Sequence, residues 1–305
     1  PLLQVSLFLT ILYHHQQGLM SDGSPGSNRG AICSVAYVEL RMRMRSTGFW
    51  ALAAIFSLLT YMALPARSAR YAFITAGPHG VFRYDSGFVG MVVGFISSLL
   101  FGLIGFFYAH NSLRRDRISP TGEVLAATQL SSTGYILGTY LAVICALTAL
   151  LASSLVTGVI VQALRGEAGL AWDRLLSSAS LLAVPTLLYT AGLGVAGGAI
   201  PVRGSGVGLN PLYVAYWFAS LWGVMTISVV RTALWVDYTG FTVPSFEVAR
   251  AYHASTVLGA APSQLNLLNW PTLSTNLYLM PRLAYVLAGL ALPFLSSVWF
   301  SRFDP

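Results

Sequence analysis

A short charged segment between two long apolar runs is the part of this sequence best suited to contact another protein. It lies between Gly87–Tyr108 and Tyr135–Leu164. Its polar and ionisable residues are Arg114, Arg115, Asp116, Arg117, Thr121, Gly122, Glu123 and Thr128. Guanidinium and carboxylate groups form strong charge-assisted hydrogen bonds, which suit docking. The segment therefore predicts a polar hairpin, residues 109–134, that receives force from a partner.

Motifs for catalysis and for metal binding are missing from the sequence. None of the 17 basic residues is a lysine, so the Gly-Lys pair of a Walker A motif cannot occur. No HExxH, GxSxG or CxxC pattern is present, and Cys33 and Cys145 have no redox or metal spacing. The histidines are either scattered or adjacent, as in His14 and His15. We expect no catalytic residue, no metal, no cofactor and no enzyme activity of its own.

The composition places the hairpin in a membrane protein. Soluble domains carry about 25% charged residues, whereas this chain has 9% charged and 55% hydrophobic residues. Long apolar runs predict transmembrane helices, because backbone polar groups in lipid must bond within their own segment. The predicted spans are Phe49–Leu64, Gly87–Tyr108, Tyr135–Leu164, Leu175–Ile200, Tyr213–Val230 and Leu283–Phe300. The expected fold is all-α, a polytopic membrane protein with six transmembrane helices.

The other segments complete the predicted organisation. Residues 1–28 are expected to be a disordered tail or an artefact of the start site. Residues 29–48 predict an amphipathic helix on the membrane interface, with a solvated basic tail as the alternative. The six-helix domain follows over 49–305, and its external loop, 231–282, is rich in aromatic residues and proline. A partly buried helix around Ser245–Thr256 is expected within that loop.

Arginine clusters indicate the orientation of the chain. The two densest clusters are separated by two predicted spans, so they lie on the same side of the membrane. They are Arg41, Arg43 and Arg45, and Arg114, Arg115 and Arg117. The positive-inside rule makes that side cytoplasmic, which puts both termini inside a bacterial cytoplasmic (inner) membrane. The net charge of +7 then reflects lipid headgroups and orientation, and no nucleic-acid partner is expected.

Small residues in the predicted spans indicate close helix packing. Gly90 and Gly94 form a GxxxG pattern in the second span, and Gly194 and Gly198 lie in the fourth. This spacing lets helix backbones approach one another, within one subunit or across a dimer. No Asp, Glu, Arg or His falls inside the six spans as drawn, which argues against a proton-coupled carrier.

The hairpin resembles a segment of a known membrane family. The matching features are Arg114–Arg117, the Thr121-Gly-Glu start, the short run 124–128, and a Leu-Ser turn leading to Leu137-Gly138. Together they resemble the cytoplasmic segment of ABC-2-type exporter permeases. The chain departs from that pattern at Gln129, where proline is usual, and at Thr139, where lysine is usual. The interfacial segment and the six-span count extend the resemblance over most of the chain.

This resemblance implies the permease subunit of an ABC exporter, which moves an amphipathic or hydrophobic substrate outward by alternating access. The implied partners are two copies of an ABC ATP-binding subunit, and a second permease copy or a fused second half. The hairpin would be the coupling helix, with Arg114, Arg115, Asp116 and Glu123 against the ATPase. Thr121 would cap that helix. The alternative is a non-transporting membrane anchoring or assembly subunit that docks a different cytoplasmic partner, or a charged loop that only sets topology.

Overall fold

The described part of the chain is mostly helical, as its composition predicts. The computed structural model describes residues 27–66, 71–77, 80–118, 131–166, 169–200, 209–227, 233–260, 266–271 and 275–300. Residues 1–26 of the predicted tail lie outside this part, and residues 27 and 28 begin the first helix. Helices satisfy their own backbone groups, which is the condition for residing in lipid.

A sharp corner separates the first two helices. Helix α1 spans Ser27–Met44 and α2 spans Thr47–Ala63, and the pair is bent by 72°. Ser46 forms the corner because its side chain accepts a hydrogen bond from the Phe49 amide, which caps α2. The Trp50 indole donates to the Met44 carbonyl at 2.9 Å and braces the corner from outside.

The second predicted span is one long helix with a wide turn in its middle. It consists of α3 (Ser86–Leu100), a π-helical turn (Phe101–Gly105) and α4 (Phe106–Ile118). Asp85 caps its beginning by accepting from the Phe88 amide at 2.8 Å. The helix continues ten residues past Tyr108, where the sequence predicted the span to end. The first part of the expected hairpin is therefore an extension of the span.

The remaining helices follow the predicted apolar runs with shifted ends. They are α5 (Ser132–Arg165), α6 (Trp172–Ala199), α7 (Asn210–Ile227), α8 (Ala233–Val236), α9 (Thr242–Tyr252) and α10 (Thr275–Trp299). Helix α9 occupies the place where a partly buried helix was expected. Helix α10 begins eight residues before Leu283, the predicted start of the last span, so Arg282 lies inside it.

Several of these helices are long and apolar enough to cross a membrane. Four in the described part meet that condition: Ser86–Arg115, Ser132–Arg165, Trp172–Ala199 and Tyr278–Val298. The bent pair of α1 and α2 makes a fifth if it counts as one span. The structure thus supports four or five of the six expected spans, and α7 is not among them.

A small sheet joins the loop between α2 and α3 to the loop before α10. Strands β1 (Ala72–Thr75), β2 (Val81–Phe82), β3 (Val257–Ala260) and β4 (Leu267–Leu268) lie in the order β3-β1-β2-β4. The β1–β2 and β1–β3 pairs are antiparallel, and β2 pairs with β4 in parallel. We call this end of the helices the sheet end. The opposite end, where α1 and α4 carry their arginines, is the arginine end.

Helix α6 is packed at the centre through backbone contacts at glycines. A Cβ atom on Gly94 of α3 would lie 2.8 Å from the Ala179 carbonyl oxygen of α6. One on Gly194 of α6 would lie 2.5 Å from the Phe106 carbonyl oxygen of α4. On another face, Gly192 of α6 meets Gly289 of α10. Gly90 and Gly198 extend the same seams, which hold α6 against three helix segments.

A substitution at the seam tests this packing. Gly94→Ala is expected to destabilise the protein by about 1–3 kcal/mol, because the added methyl group overpacks the α3–α6 contact. Gly48→Ala is the matched control, since a Cβ there meets nothing within 4 Å and alanine favours a helix. Thermal unfolding of the purified protein in detergent measures both variants. Equal melting temperatures would mean that α3 and α6 are not tightly packed.

Candidate partner-docking site

The hairpin predicted to dock a partner begins inside α4. Arg114 and Arg115 lie in the last turns of α4, at the arginine end. Asp116 and Arg117 belong to the same helix, but their side chains lie outside the described part. Thr121, Gly122, Glu123 and Thr128 also lie outside it, and so does the expected short helix. The described chain resumes at Ser131, whose side chain caps α5.

Glu39 connects α1 to the base of this hairpin. Its carboxylate is buried, with a side chain only 4% exposed, and contacts two arginines. Nε of Arg43 lies 3.4 Å from one oxygen, and Nη2 of Arg115 donates to the other at 3.0 Å. A buried carboxylate is costly unless it is paired. Glu39 therefore holds the end of α4 against α1.

Arg43 provides a second connection between α1 and α4. Its guanidinium lies over the Tyr108 ring, 4.5 Å from the centroid, and also donates to the Tyr108 carbonyl at 3.2 Å. Stacking and a planar set of donors are features of arginine that lysine does not reproduce. An amphipathic helix on the membrane interface, as predicted for residues 29–48, would expose its charged side chains. Glu39 and Arg43 instead lie on the buried side.

Helix α1 also packs against α5, the helix that follows the hairpin. A Cβ on Gly138 of α5 would lie 2.7 Å from Cβ of Val35 and 3.0 Å from the carbonyl oxygen of Ile32. Val35 and Ile136 are buried at this contact region. Thus α1 touches both α4 and α5, the two helices between which the hairpin runs.

A second charged pair lies deep among the helices, and the sequence analysis missed it. Asp237 and Arg282 are both buried, and Nη2 of Arg282 lies 3.9 Å from a carboxylate oxygen of Asp237. Arg282 also donates to the Tyr238 carbonyl at 3.0 Å. The same carbonyl accepts from Thr186, which lies half-way along α6. The pair is therefore well below the sheet end, at a depth where charge is expensive.

Asp237 organises the turn that leads into α9. One carboxylate oxygen accepts from the Thr239 hydroxyl and the Gly240 amide, and the other from the Thr242 amide and hydroxyl. The distances run from 2.6 to 2.8 Å. Gly240 has a φ of 80° and is packed on the Arg282 guanidinium. Glycine is needed there, because the backbone is in the left-handed region and a side chain would meet the guanidinium. Asp237 thereby fixes the entry of a segment that dips among the helices and returns to the sheet.

Tyrosines surround this turn on the side of α7. The Tyr189 and Tyr216 hydroxyls are 3.3 Å apart, and the Tyr216 ring stacks on Tyr238 with centroids 5.4 Å apart. Tyr285 of α10 donates to the Trp235 carbonyl at 2.6 Å. These side chains give α7 and the turn a surface that is apolar yet carries hydroxyl groups.

The described residues offer no alternative chemistry. They contain no group of three or more His, Cys, Asp or Glu side chains that could hold a metal ion. Cys33 and Cys145 are both exposed free thiols. No protein-family model matches the chain, and no curated protein is similar to it. Two charged sites are therefore the candidate functional features. One is the cluster of Glu39, Arg43 and Arg115 at the arginine end, and the other is the buried Asp237–Arg282 pair.

Neutralising Asp237 tests the buried pair. Asp237→Asn keeps the side-chain shape but leaves Arg282 uncompensated, so we expect a loss of about 3–5 kcal/mol in stability. Asp173→Asn is the control, since Asp173 is exposed in the first turn of α6. Adding Arg282→Met to Asp237→Asn is expected to recover part of the loss, because Arg282 then no longer leaves an unpaired buried charge. Melting temperatures in detergent that are alike for all variants would contradict the pairing.

Proposed function

We propose that this chain is the permease subunit of an ATP-driven exporter of the ABC-2 type. In this proposal it spans a bacterial cytoplasmic membrane six times, with both termini in the cytoplasm and α1 on the inner interface. It works with a second permease copy or a fused second half. Two ATP-binding subunits dock at the arginine end and supply the energy. The substrate is amphipathic or hydrophobic, and it moves outward by alternating access.

The observation that carries the proposal is the position of Glu39 between Arg43 and Arg115. A hairpin that only sets topology needs no buried ionic connection to a third helix. Here Glu39 joins α1 to α4 at 3.0 Å, while Val35 joins α1 to α5 across Gly138. A push on the hairpin would therefore move α1, α4 and α5 together. That arrangement suits a subunit that receives force, and it adds to the resemblance of the hairpin.

Two further features favour the finer topology. The 72° bend lays α1 near the membrane plane once α2 is taken as a span. Helix α7 exposes large apolar side chains, including Leu212, Phe218 and Trp222, as a lipid-facing or subunit-facing span would. Counting α2 and α7 with the four long apolar helices gives six spans. The sheet end then faces outward, and α9 dips into the membrane from that side.

The sequence has no Walker A motif, which fits a transporter whose ATPase is a separate subunit. No lysine is available for a phosphate-binding loop, so ATP hydrolysis falls to the partner in this proposal. The tyrosine side chains beside α7 carry hydroxyl groups and no fixed charge, which suits contact with a hydrophobic or amphipathic substrate. Asp237 and Arg282 neutralise each other beneath these side chains.

Purification with the partner tests the proposal. The chain, isolated from its native membranes in mild detergent, is expected to retain a Walker A-bearing ATPase in a one-to-one ratio. Reversing the hairpin charge with Glu123→Arg should lower complex recovery or ATPase stimulation about tenfold, because like charges oppose across the interface. Asp173→Arg, an equal reversal at the sheet end, should have no effect.

The outcomes of this purification separate the alternatives. A chain that purifies without any ATPase, and whose membranes show no ATP-dependent export, would overturn the exporter proposal. Stable recovery of a partner without nucleotide-binding motifs would favour the anchoring or assembly subunit instead. Unchanged stimulation in Glu123→Arg would remove Glu123 from the interface while leaving the partner in place.

Cysteine labelling tests the orientation. Ser112, at the arginine end, is buried, so a cysteine there is a poor reporter. Thr133 at the arginine end and Ser255 at the sheet end are both exposed. With Cys33 and Cys145 replaced by serine, an impermeant thiol reagent on intact cells should label Ser255→Cys and spare Thr133→Cys. The reverse pattern would place the hairpin outside, beyond reach of ATP.

A further inference from the structure

A cavity of about 360 Å³ opens at the arginine end, beside the corner between α1 and α2. Its walls come from the end of α1, the corner itself and the later turns of α4. The polar lining residues include Arg43, Arg115, Ser46 and Ser112. From this combination we propose that the cavity binds a phosphate group, the charged part of an anionic phospholipid headgroup or of a soluble phosphate.

The charge of the cavity favours an anion. Among the described side chains at this site, two guanidinium groups face one carboxylate, that of Glu39. This leaves a net charge of +1 beside the cavity. The Arg115 side chain is 53% exposed and reaches the opening, whereas Arg43 is buried in the wall. Each guanidinium is a planar fork of five N–H donors, which matches the oxygens of a phosphate.

The orientation of Arg43 is already set for a ligand. Stacking on the Tyr108 ring at 4.5 Å, and a hydrogen bond to the Tyr108 carbonyl at 3.2 Å, hold the guanidinium in place. Its Nε atom faces Glu39, 3.4 Å from a carboxylate oxygen, which fixes the guanidinium further. A guanidinium fixed in advance loses little freedom when a phosphate arrives. This rigidity favours binding.

Ser112 supplies an unused hydroxyl in the same wall. The residue is 5% exposed, and its Oγ is without a hydrogen-bond partner among the described residues. Other helical serines here, such as Ser98 and Ser296, donate to a carbonyl of the preceding turn. A buried hydroxyl without a partner is unfavourable, and a ligand oxygen in the cavity would satisfy it. Ser46, the N-cap of α2, adds the positive end of that helix.

The rest of the lining suits a molecule with an apolar part. Ile104, Phe107 and Met42 complete the walls next to the charged groups. Phosphate oxygens would lie against the arginines and Ser112, and glycerol or acyl carbons against Ile104 and Phe107. Anionic headgroups are attracted to arginines at the cytoplasmic interface in the same way. Occupation of the site does not depend on whether the chain docks an ATPase.

Binding to the full-length purified protein tests the site. Native mass spectrometry in neutral detergent compares dioleoyl phosphatidylglycerol with dioleoyl phosphatidylcholine, which share acyl chains but differ in net charge. We expect retained phosphatidylglycerol, with Arg115→Gln and Ser112→Ala each lowering its affinity about tenfold, the effect of one charge-assisted hydrogen bond. Ser112→Ala should leave the lipid-free melting temperature unchanged or higher, because it removes an unsatisfied hydroxyl.

Matched controls separate the cavity from general effects. Ser97→Ala removes another buried hydroxyl without a partner from the same long helix, outside the cavity. Arg114→Gln removes a neighbouring arginine that does not line it. Neither should change phosphatidylglycerol affinity. Equal binding of the two lipids, or affinity unchanged in both cavity variants, would exclude a lipid headgroup as the ligand.

A second experiment, with soluble phosphates, identifies the source of the phosphate. Inorganic phosphate and glycerol phosphate are added at millimolar concentration to lipid-depleted protein, and melting is recorded. Stabilisation that Ser112→Ala abolishes would assign the site to a soluble phosphate. Stabilisation by phosphatidylglycerol alone would assign it to the membrane lipid. If none of the three phosphates raises the melting temperature of the wild type, the cavity does not bind phosphate.

Discussion

The structure depends on one constraint: a charged side chain buried in this apolar chain must be paired within the chain itself. Asp237 accepts four hydrogen bonds from its own turn before it meets Arg282. Glu39 is held by two arginines. The carbonyl of Gly102 in the π-helical turn accepts from the Tyr213 hydroxyl, which docks α7. An unpaired charge is too costly in an apolar interior, so these contacts help to decide how the helices are arranged.

The sequence predicted the helices well because composition alone places long apolar runs in a membrane. Helix α5 matches its predicted run to within three residues at each end. The predicted ends of the spans were wrong where a helix includes charged residues. Helix α4 continues through Arg114 and Arg115, and α10 starts before Arg282. In a prediction from sequence, a span ends at the first charged residue. In the structure the helix can include that residue when an opposite charge pairs with it. The partner of Arg282 is Asp237, 45 residues earlier, which no local pattern indicates.

The sequence predicted only those residues of the candidate site that are close together in the chain. Arg114 and Arg115 stand out in the sequence, but Glu39, the residue that ties Arg115 to α1, lies 76 positions away. On a helix wheel Glu39 looks like an ordinary solvated residue. The strands were missed for a similar reason, since two to four residues are too few for an alternating pattern. Residues 119–130 of the hairpin lie outside the described chain, so their roles remain predictions from resemblance.

Helix α6 brings the two charged regions into one mechanical system under the proposed function. Near its end, Gly194 and Gly198 lie against Phe106 and Leu113 of α4, the helix that carries Arg115. Half-way along, Thr186 holds the Tyr238 carbonyl beside the Asp237–Arg282 pair. The glycines of this seam bring α4 and α6 into close contact, so a displacement of α4 presses directly on α6. In the proposed exporter, movement of the hairpin would reach the turn before α9 through this contact and through Thr186, which is the coupling that alternating access requires.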